Sequence, residues 1–426
     1  MSRKPLSILI AGQGIAGSSL ALMLARHPSF DPRPNITIVE RSQTPRTTGQ
    51  AIDIRGPAVR VIRVLGLEDK IKQRHTTETG MAIVGAKGQQ IACFDATGST
   101  SSTTSEYEIL RGELAALLLK NLQTAHDANR ANSRVIYGES IQSLKERDDG
   151  VAVQFANGKL VPQTFDVVVA ADGMSSTTRP MIFPEYAAED PIKPLGQYMA
   201  FFSVPRVADD TDLWRWHIAP RGLGIHIRPH RTKTTMGVYF VINNSKKARI
   251  PEVDQVLVKD VAAQKAYLRA KFAGVGFQSA RFLDAMDYAD DFYMQQTAQV
   301  ETPKWSSGRC VLLGDAAYCM MGIGTSLSLI GAYLIAGELA NAASRDLDLA
   351  AALSRYEDLL RPLVANYLKL QSGPEHVIPQ SRLGIAVMHS ALRVLTWTGL
   401  QHLILPREPS GNDWGLPDYG FEEIGE

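Results

Sequence analysis

The chain has 426 residues, of which 45% are hydrophobic and 21% charged, and its formal net charge is +1. This length accommodates two or three domains with a large core, and the balanced charge argues against the basic surface of a nucleic-acid-binding protein. Cys93, Cys310 and Cys319 are too few and too scattered for a disulfide framework or a zinc site, so we expect no metal centre and a reducing, cytoplasmic compartment.

The first predicted element is a buried parallel strand at residues 7–11 that leads into a glycine-rich turn and then a helix. The turn has the spacing Gly-x-Gly-x-x-Gly, formed by Gly12, Gly14, Ile15, Ala16 and Gly17. In this pattern the first glycine permits a tight turn, the second lets a pyrophosphate approach the backbone, and the third lets the helix pack closely. The helix N-terminus offers free N–H groups to the phosphates. The alternative is an ordinary turn with accidental glycines.

A second strand is predicted at residues 35–39, and Glu40 follows it. An acid at the end of this strand can accept hydrogen bonds from ribose hydroxyls. Glu40 comes later than the usual ~20 residues after the glycines. The delay has a simple cause, because a proline-rich loop precedes the strand (Pro28, Pro32 and Pro34).

Between these elements and the C-terminus, the chain alternates strands and helices. Short strands are predicted at residues 80–104, with a Ser/Thr/Gly-rich loop at residues 97–105, and a helix is predicted to open over residues 108–114. Residues 151–159 predict a hairpin. Residues 197–243 are rich in strands and predict a separate sheet.

Two later segments repeat the strand-to-turn pattern of the N-terminus. The first leads from an apolar strand into Asp172 and Gly173, and the second leads from another apolar strand into Gly314 and Asp315. One glycine-rich turn is weak evidence, but three such turns in this order predict a dinucleotide held by distant parts of the chain.

Two apolar helices are predicted near the C-terminus. Residues 324–343 form a long apolar helix, and residues 383–405 form an amphipathic or packed helix that is interrupted by His389 and Arg393. We therefore expect no stable membrane span, with membrane contact by the second helix as the alternative.

The three turns carry a resemblance to a known family. The chain resembles the flavin-dependent aromatic hydroxylases, the para-hydroxybenzoate-hydroxylase-like FAD monooxygenases, over nearly its whole length from Ile8 to about Val364. It is most similar to the branch of tetracycline-inactivating enzymes and fungal secondary-metabolite monooxygenases. The family motif Asp-Gly-x-x-Ser-x-x-Arg is matched by Asp172, Gly173, Ser176 and Arg179.

The resemblance implies an α/β fold: a Rossmann-like FAD-binding domain of the GR2 type, an inserted mixed β-sheet substrate domain, and C-terminal helices. The FAD-binding domain is expected to be discontinuous, over residues 1–75, 105–180 and 296–375. The substrate domain would comprise residues 76–104 and 181–295. Residues 376–426 would form the C-terminal helical segment and tail.

The resemblance also assigns roles to site residues. Glu40 and Arg41 would lie at the adenosine, Asp315 at the ribityl chain, and Asp172 with Gly173 would serve both FAD and the nicotinamide donor. Further cofactor contacts are implied for Asp53, Arg111, Gly314, Gly322, Ile323 and Gly324. Arg111 has an independent argument, since a cation at a helix start is unfavourable unless an anion compensates it. The alternative is a surface arginine.

The implied activity is that of an FAD- and NAD(P)H-dependent monooxygenase. FAD would be bound non-covalently, NADPH or NADH would donate electrons, and one atom of molecular oxygen would enter a small cyclic or aromatic substrate through a flavin hydroperoxide. The protein would be a monomer or a weak homodimer. The other class kept open is an oxidase, a dehydrogenase, or a redox-neutral cyclase or isomerase on the same fold.

The second class arises from a departure from the family pattern after Asp315. The loop lacks the proline of its relatives, is about three residues shorter, and contains Met320 and Met321. The methionines could fill the gap as adaptable apolar packing. Alternatively, the altered loop could leave the flavin site unable to transfer oxygen.

Three residues are candidates for contact with the substrate, namely Arg55, His217 and His226, which could polarise a phenol or an enol. A structural or solvent-facing role is the alternative for each. By strand alternation, Trp214 and Trp216 should project away from the side that bears His217, either as an aromatic wall of the pocket or as sheet core.

Overall fold

The computed structural model describes residues 4–46, 48–95, 107–127, 132–370, 378–399 and 414–424, so the predicted loop at residues 97–105 lies outside the described part. The described strands are β1 (Ser7–Ala11), β2 (Asn35–Glu40), β3 (Ala51–Asp53), β4 (Gly80–Val84), β5 (Gln90–Asp95), β6 (Glu108–Leu110), β7 (Asn132–Tyr137), β8 (Ile141–Arg147), β9 (Gly150–Phe155), β10 (Gln163–Phe165), β11 (Val167–Ala170), β12 (Ile192–Pro205), β13 (Trp214–Ala219), β14 (Leu223–Pro229), β15 (Thr235–Asn243), β16 (Tyr293–Val300), β17 (Ser306–Ser307) and β18 (Cys310–Leu312). The helices are α1 (Ile15–Arg26), α2 (Ala58–Val64), α3 (Glu68–Lys72), α4 (Arg111–Asp127), α5 (Arg179–Ile182), α6 (Glu185–Ala188), α7 (Pro251–Leu257), α8 (Val261–Phe272), α9 (Ser279–Tyr288), α10 (Asp315–Tyr318), α11 (Gly324–Arg345), α12 (Leu349–Leu370) and α13 (Arg382–Thr398).

The first sheet has six strands in the order β17-β18-β11-β1-β2-β7. All its pairs are parallel except β17 with β18. Strand β1 lies inside the sheet, and Ile8, Leu9 and Ile10 are fully buried, as expected for a parallel strand covered on both faces. The sheet therefore brings the ends of β1, β11 and β18 to one edge.

Helix α11 packs against α1, α2 and α12 in the core of this unit. Within the described residues it is the one helix long and apolar enough to cross a membrane by length and composition. However, 89% of its most apolar window is buried inside the molecule, which is the burial of a core helix.

The second large sheet has seven strands in the order β16-β12-β15-β14-β13-β4-β5. One face carries an apolar cluster that packs against α7, α8 and α9, with Phe240 stacked on Phe272 at 4.3 Å. We call the other side the front face. By the strand register, one row of it crosses five strands through Trp216, His226, Tyr239, Phe201 and Tyr293.

The front face is covered by two elements. The short β3–β6 ribbon lies against the middle of the sheet, where the backbone of Ala51 hydrogen-bonds to Tyr239. Helix α13 lies over the β4–β5 end, where Leu392 packs with Ile83 and Trp216. The front face is therefore covered by the ribbon at its middle and by the C-terminal helix α13 at one end.

The α/β fold class is confirmed, and one element prediction is wrong. The helix expected from residue 108 begins at Arg111, because Glu108–Leu110 forms a strand that pairs with Ala51–Asp53. The domain boundaries stay predictions, and β16 runs across the expected boundary at residues 295 and 296 while belonging wholly to the seven-stranded sheet.

Candidate active site

The three turns singled out in the sequence meet at one edge of the six-stranded sheet. Ala11 is in register with Ala170, and Ala170 with Leu312, so the strands end side by side. Gly12 has φ +103°, and a Cβ there would overlap the carbonyl of Ala171. Turns one and two therefore pack backbone against backbone, and only glycine fits at this contact.

The first turn forms an open cradle at the start of α1. A Cβ on Gly17 would overlap the Gly12 carbonyl, so that glycine lets the helix sit directly on the turn. A Cβ on Gly14, by contrast, would meet no heavy atom within 4 Å. No side chain among the described residues caps this helix, whose first residues Ile15 and Ala16 are buried. A helix start without a side-chain cap, next to the open space at Gly14, suits a pyrophosphate.

Glu40 lies at the rim of this cradle. Its carboxylate accepts hydrogen bonds from the backbone N–H groups of Gln13 and Ser42, each at 2.9 Å. Burial and the negative charge of Glu40 raise the pKa of the nearby Tyr137. A carboxylate has about four acceptor positions, so two remain for ribose hydroxyls. Arg41 follows Glu40 on the exposed side.

The third turn places an acid beside a helix start. Gly314 has φ +66°, and a Cβ there would come within 3.0 Å of the Ala16 Cβ, so the third turn touches the first. Asp315 follows, and a Cβ on Gly324 would lie 3.2 Å from its Oδ1. The carboxylate therefore stands next to the first turn of α11, where Ile323 is the N-cap residue.

The loop between Asp315 and α11 contains the two methionines. Met320 is 4% exposed and belongs to the hydrophobic core, whereas Met321 is 37% exposed. Gly322 has φ +83°, and a Cβ there would meet no heavy atom within 4 Å. Met320 is therefore packed into the core, and the backbone at Gly322 faces open space.

In the second turn, the carboxylate of Asp172 accepts hydrogen bonds from residues of the loop that follows it. Its carboxylate accepts hydrogen bonds from the Ser176 hydroxyl, from the Thr177 N–H, and from the N–H and hydroxyl of Thr178. Arg179 is buried, which lowers its pKa, and its guanidinium donates to the carbonyls of Met174 and Ala316. These residues hold the second turn against the third, while Gly173 borders open space.

A pair of arginines lies next to the β3–β6 ribbon. The Arg111 N–H donates to the carbonyl of Gln50 at 2.9 Å. The Arg46 guanidinium lies 5.0 Å from the centre of the Tyr293 ring, and burial together with the positive charge of Arg111 lowers the pKa of Arg46. The Tyr293 hydroxyl hydrogen-bonds to the side chain of Gln50.

Sequence reasoning found Arg111 but missed Arg46, Gln50 and Tyr293. Gln50 and Tyr293 are 243 positions apart, and neither belongs to a motif. Only the packing of the ribbon against the front face brings them together, so no local signal could have identified them.

The candidates for substrate contact separate onto different faces of the sheet. His226 lies on the front face, stacked on Trp216 at 4.2 Å and 5°. Burial lowers its pKa to about 3, and the charge of Arg228 adds to this. Its Nε2 lies 3.5 Å from the position that a Cβ on Gly224 would occupy.

His217 points to the opposite side. Its ring nitrogens lie 3.2 Å from the carbonyl oxygens of Val84 and Val275, on the face covered by helices. The prediction that Trp214 and Trp216 point away from His217 is therefore confirmed. A substrate contact of His217 stays a prediction, and the two carbonyl contacts on the helix-covered face agree with its structural alternative.

Arg55 joins the β3 strand to the start of α11. Its N–H donates to the Ser326 hydroxyl at 3.0 Å, and its Nη2 lies 3.6 Å from Asp53 Oδ2. Arg55 and Asp53 thus lie between the third turn and the front face. Within the described residues no group of three or more His, Cys, Asp or Glu side chains could hold a metal ion.

Known proteins share this architecture. A family model described as an FAD binding domain matches residues 6–365. The monooxygenase CTB7 of Cercospora beticola is 31% identical over 432 residues, covering 97% of each chain. A flavin-dependent monooxygenase of an unknown prokaryotic organism is 35% identical over 363 residues, covering 84% of this chain and 86% of the relative. Among solved structures, the tetracycline destructase Tet(51) matches with a TM-score of 0.75 and 26% identity, covering 98% of this chain and 100% of that one. The chain therefore belongs to the family of FAD-dependent monooxygenases built on this FAD-binding domain.

Proposed function

We propose that the protein uses FAD and NAD(P)H to transfer one atom of molecular oxygen to a small cyclic or aromatic substrate. The observation that carries this proposal is the meeting of three distant turns around an open glycine cradle, which the β3–β6 ribbon and Arg55 connect to the aromatic front face of the second sheet. The family relationship supports the same reaction class.

The cofactor contacts follow from the cradle. The N–H groups at the start of α1, beside Gly14, bind the pyrophosphate, and Glu40 with Arg41 binds the adenosine ribose and base. Asp315 accepts hydrogen bonds from the ribityl hydroxyls. The backbone of Gly322, Ile323 and Gly324 donates to the electron-rich edge of the flavin ring. FAD, when bound, supplies electron transfer and oxygen activation, and the protein supplies position and exclusion of water.

Arg111 and Arg46 supply positive charge near the cofactor's anionic groups. The backbone of Arg111 is fixed by its hydrogen bond to the Gln50 carbonyl. The guanidinium of Arg46 is partly desolvated over the Tyr293 ring. Two neighbouring cations repel each other, which is relieved when an anion lies between them. This makes the pair suitable for a pyrophosphate or a reduced flavin.

His226 and Arg55 are the residues that we place at the substrate. Because the pKa of His226 is about 3, the imidazole stays neutral at pH 7, so it orients a phenol or enol by hydrogen bonding rather than holding its proton. Arg55 provides the cation that stabilises developing negative charge on the substrate oxygen.

The electron donor binds transiently in this proposal. No second Gly-x-Gly-x-x-Gly unit follows Asp172 in the sequence. The turn at Gly173, next to the cradle, is the place where the nicotinamide donor approaches. FAD is non-covalent, and the protein acts in the cytoplasm as a monomer or weak homodimer.

The test combines spectroscopy with isotope labelling. The purified protein should be yellow, should release free FAD on denaturation, and should bleach with NADPH or NADH in the presence of candidate phenols. Product formed under ¹⁸O₂ should carry one labelled oxygen atom. A reproducible product without label would assign the protein to the oxidase or redox-neutral class instead.

A further inference from the structure

Two buried acids share one buried arginine on the front face. The Arg228 Nε donates to Glu78 Oε2 at 2.7 Å, and its Nη2 forms an ion pair with Glu108 Oε1. The exposed fractions are 6% for Arg228, 5% for Glu78 and 0% for Glu108. Arg228 also lies under Trp214, with 4.2 Å between the guanidinium carbon and the ring centre.

This cluster contains more negative than positive charge if both acids are ionised. One guanidinium neutralises one carboxylate and leaves a second without a counter-charge in the interior. Asp53 brings a further negative charge close to the cluster, because it is the cross-strand partner of Glu108. Like charges directly opposite each other on a ribbon are destabilising, and a buried charge without a partner is costly.

One carboxylate oxygen is positioned to carry a proton. Glu78 Oε1 is buried and has no hydrogen-bond partner among the described residues. A buried oxygen that accepts no hydrogen bond favours the protonated form, since an ionised carboxylate needs donors around both oxygens.

A path to solvent begins on the other acid. The Thr76 hydroxyl donates to Glu108 Oε2 at 2.6 Å. Thr76 also lines a cavity of about 180 Å³, whose other polar walls include Arg74, Glu113, His230 and Thr235. This space is large enough for several water molecules, and its walls are polar enough to bind them.

We propose that Glu78 and Glu108 form a proton-binding pair that shares Arg228 and holds one proton at neutral pH, on Glu78 or on Glu108, and that the proton on Glu108 exchanges with solvent through Thr76 and the adjoining cavity. The bound proton makes the cluster neutral, with one carboxylate, one carboxylic acid and one guanidinium. Burial and the neighbouring negative charges raise the pKa of both acids, that of Glu78 to about 7.

The surroundings agree with a site that gains and loses a single proton. The other titratable groups that face the cluster are Asp53, His75, His226, His230 and Tyr239. Of these, Asp53 is an acid already paired with Arg55. His226 lies two residues from Arg228 on the same face, so the pair keeps the surface beside His226 free of net charge.

Infrared spectroscopy of the FAD-loaded protein tests the pair directly. The wild type should show a protonated, buried carboxyl band that shifts in D₂O and fades as the pH is raised from about 5 to about 9. Glu78→Gln and Glu108→Gln should each remove the band, because the remaining acid then pairs with Arg228 alone and ionises. Glu68→Gln is the control, since Glu68 is a partly exposed acid whose partners Arg63, Tyr107 and Lys72 hold its pKa near 2.

The variant Thr76→Val tests the route of proton exchange without removing either of the two acids that bind the proton. This variant should keep the band and exchange deuterium more slowly than the wild type. A wild type with no such band across this pH range, or a band that survives in both glutamine variants, would overturn the pair. Unchanged exchange in Thr76→Val would overturn the route. The readout is independent of turnover, so it also stands if the proposed oxygen transfer fails.

Discussion

At the scale of single residues, the glycines of the first turn have two different roles, one in packing and one in ligand binding. Gly17 is closed in by protein, because a Cβ there would strike the Gly12 carbonyl. Gly14 has an ordinary backbone conformation, with φ −70° and ψ −173°, and faces open space. The motif therefore combines a packing requirement with a ligand requirement, which substitution can separate.

Gly14→Val should abolish FAD binding while the apoprotein remains folded, because the new side chain occupies only the space of the pyrophosphate. Gly17→Val should lose the fold as well, since the helix can no longer sit on the turn. Thermal unfolding of the apoproteins and the FAD content of each preparation check both outcomes. Stoichiometric FAD in Gly14→Val would show that the cradle is misplaced.

Asp315→Ala should weaken FAD binding by roughly 1–3 kcal/mol, the scale for leaving buried polar groups unpaired. Arg111→Ala should have an effect of similar size through lost charge pairing. Asp315→Asn and Arg111→Lys are the matched controls, which retain an acceptor and a charge respectively. Titration of apoprotein with FAD measures all four, and parental affinity in both alanine variants would contradict the assignment.

At the scale of elements, the sequence predicted the strands that carry the cradle but misjudged β6. Residues 108–114 combine apolar residues at helical spacing with a β-branched start, and the pairing of Glu108–Leu110 with Ala51–Asp53 decided the outcome. Strand alternation correctly separated Trp216 from His217. It could not say which face would be covered by helices, because that depends on the distant residues of α7, α8 and α9.

The buried ion pair of Glu78 with Arg228 on β14 makes stability depend on pH. Burial raises the pKa of Glu78 from 4.5 to about 7 in the folded protein. Such a group contributes stability below pH 4.5 that is lost as the pH rises through about 7. The loss should be of order 2–3 kcal/mol for the wild type and much smaller for Glu78→Gln.

Urea unfolding at pH 5 and pH 8 with a fixed FAD concentration measures this difference. Glu68→Gln serves as the surface control, since Glu68 has a lowered pKa and should not reduce the change over this interval. An equal pH dependence in wild type and Glu78→Gln would show that Glu78 is ionised throughout.

At the scale of the whole molecule, the C-terminal residues 414–424 return to the FAD-binding unit. The Tyr419 hydroxyl donates to Glu338 at 2.6 Å, and a Cβ on Gly337 would overlap the Tyr419 ring. The Tyr333 hydroxyl donates to the carbonyl of Pro417, and Phe421 meets His27 edge-on at 4.4 Å. The sequence predicted only a tail here, because short segments that pack by a few side chains have no periodic pattern.

Tyr419→Ala should destabilise the protein by about 3–5 kcal/mol, the usual cost of removing a buried aromatic side chain. Tyr419→Phe retains the packing and loses one hydrogen bond to a carboxylate, so its cost should be about 1.5–3 kcal/mol. Chemical denaturation of both variants gives the comparison. If the two variants lost equal stability, the packing of this ring on Gly337 would not contribute.

The meeting of the three turns also has a consequence for how the protein is made. Gly12 leaves the ribosome long before Asp315, and at a synthesis rate of about 5–20 residues per second the delay is roughly half a minute. During this time the first turn lacks its contact with the third turn at Gly314, and the six-stranded sheet lacks β17 and β18. FAD binding therefore requires that synthesis has passed the third turn. A nascent or prematurely terminated polypeptide that ends before β18 should remain colourless, even with its complete glycine motif.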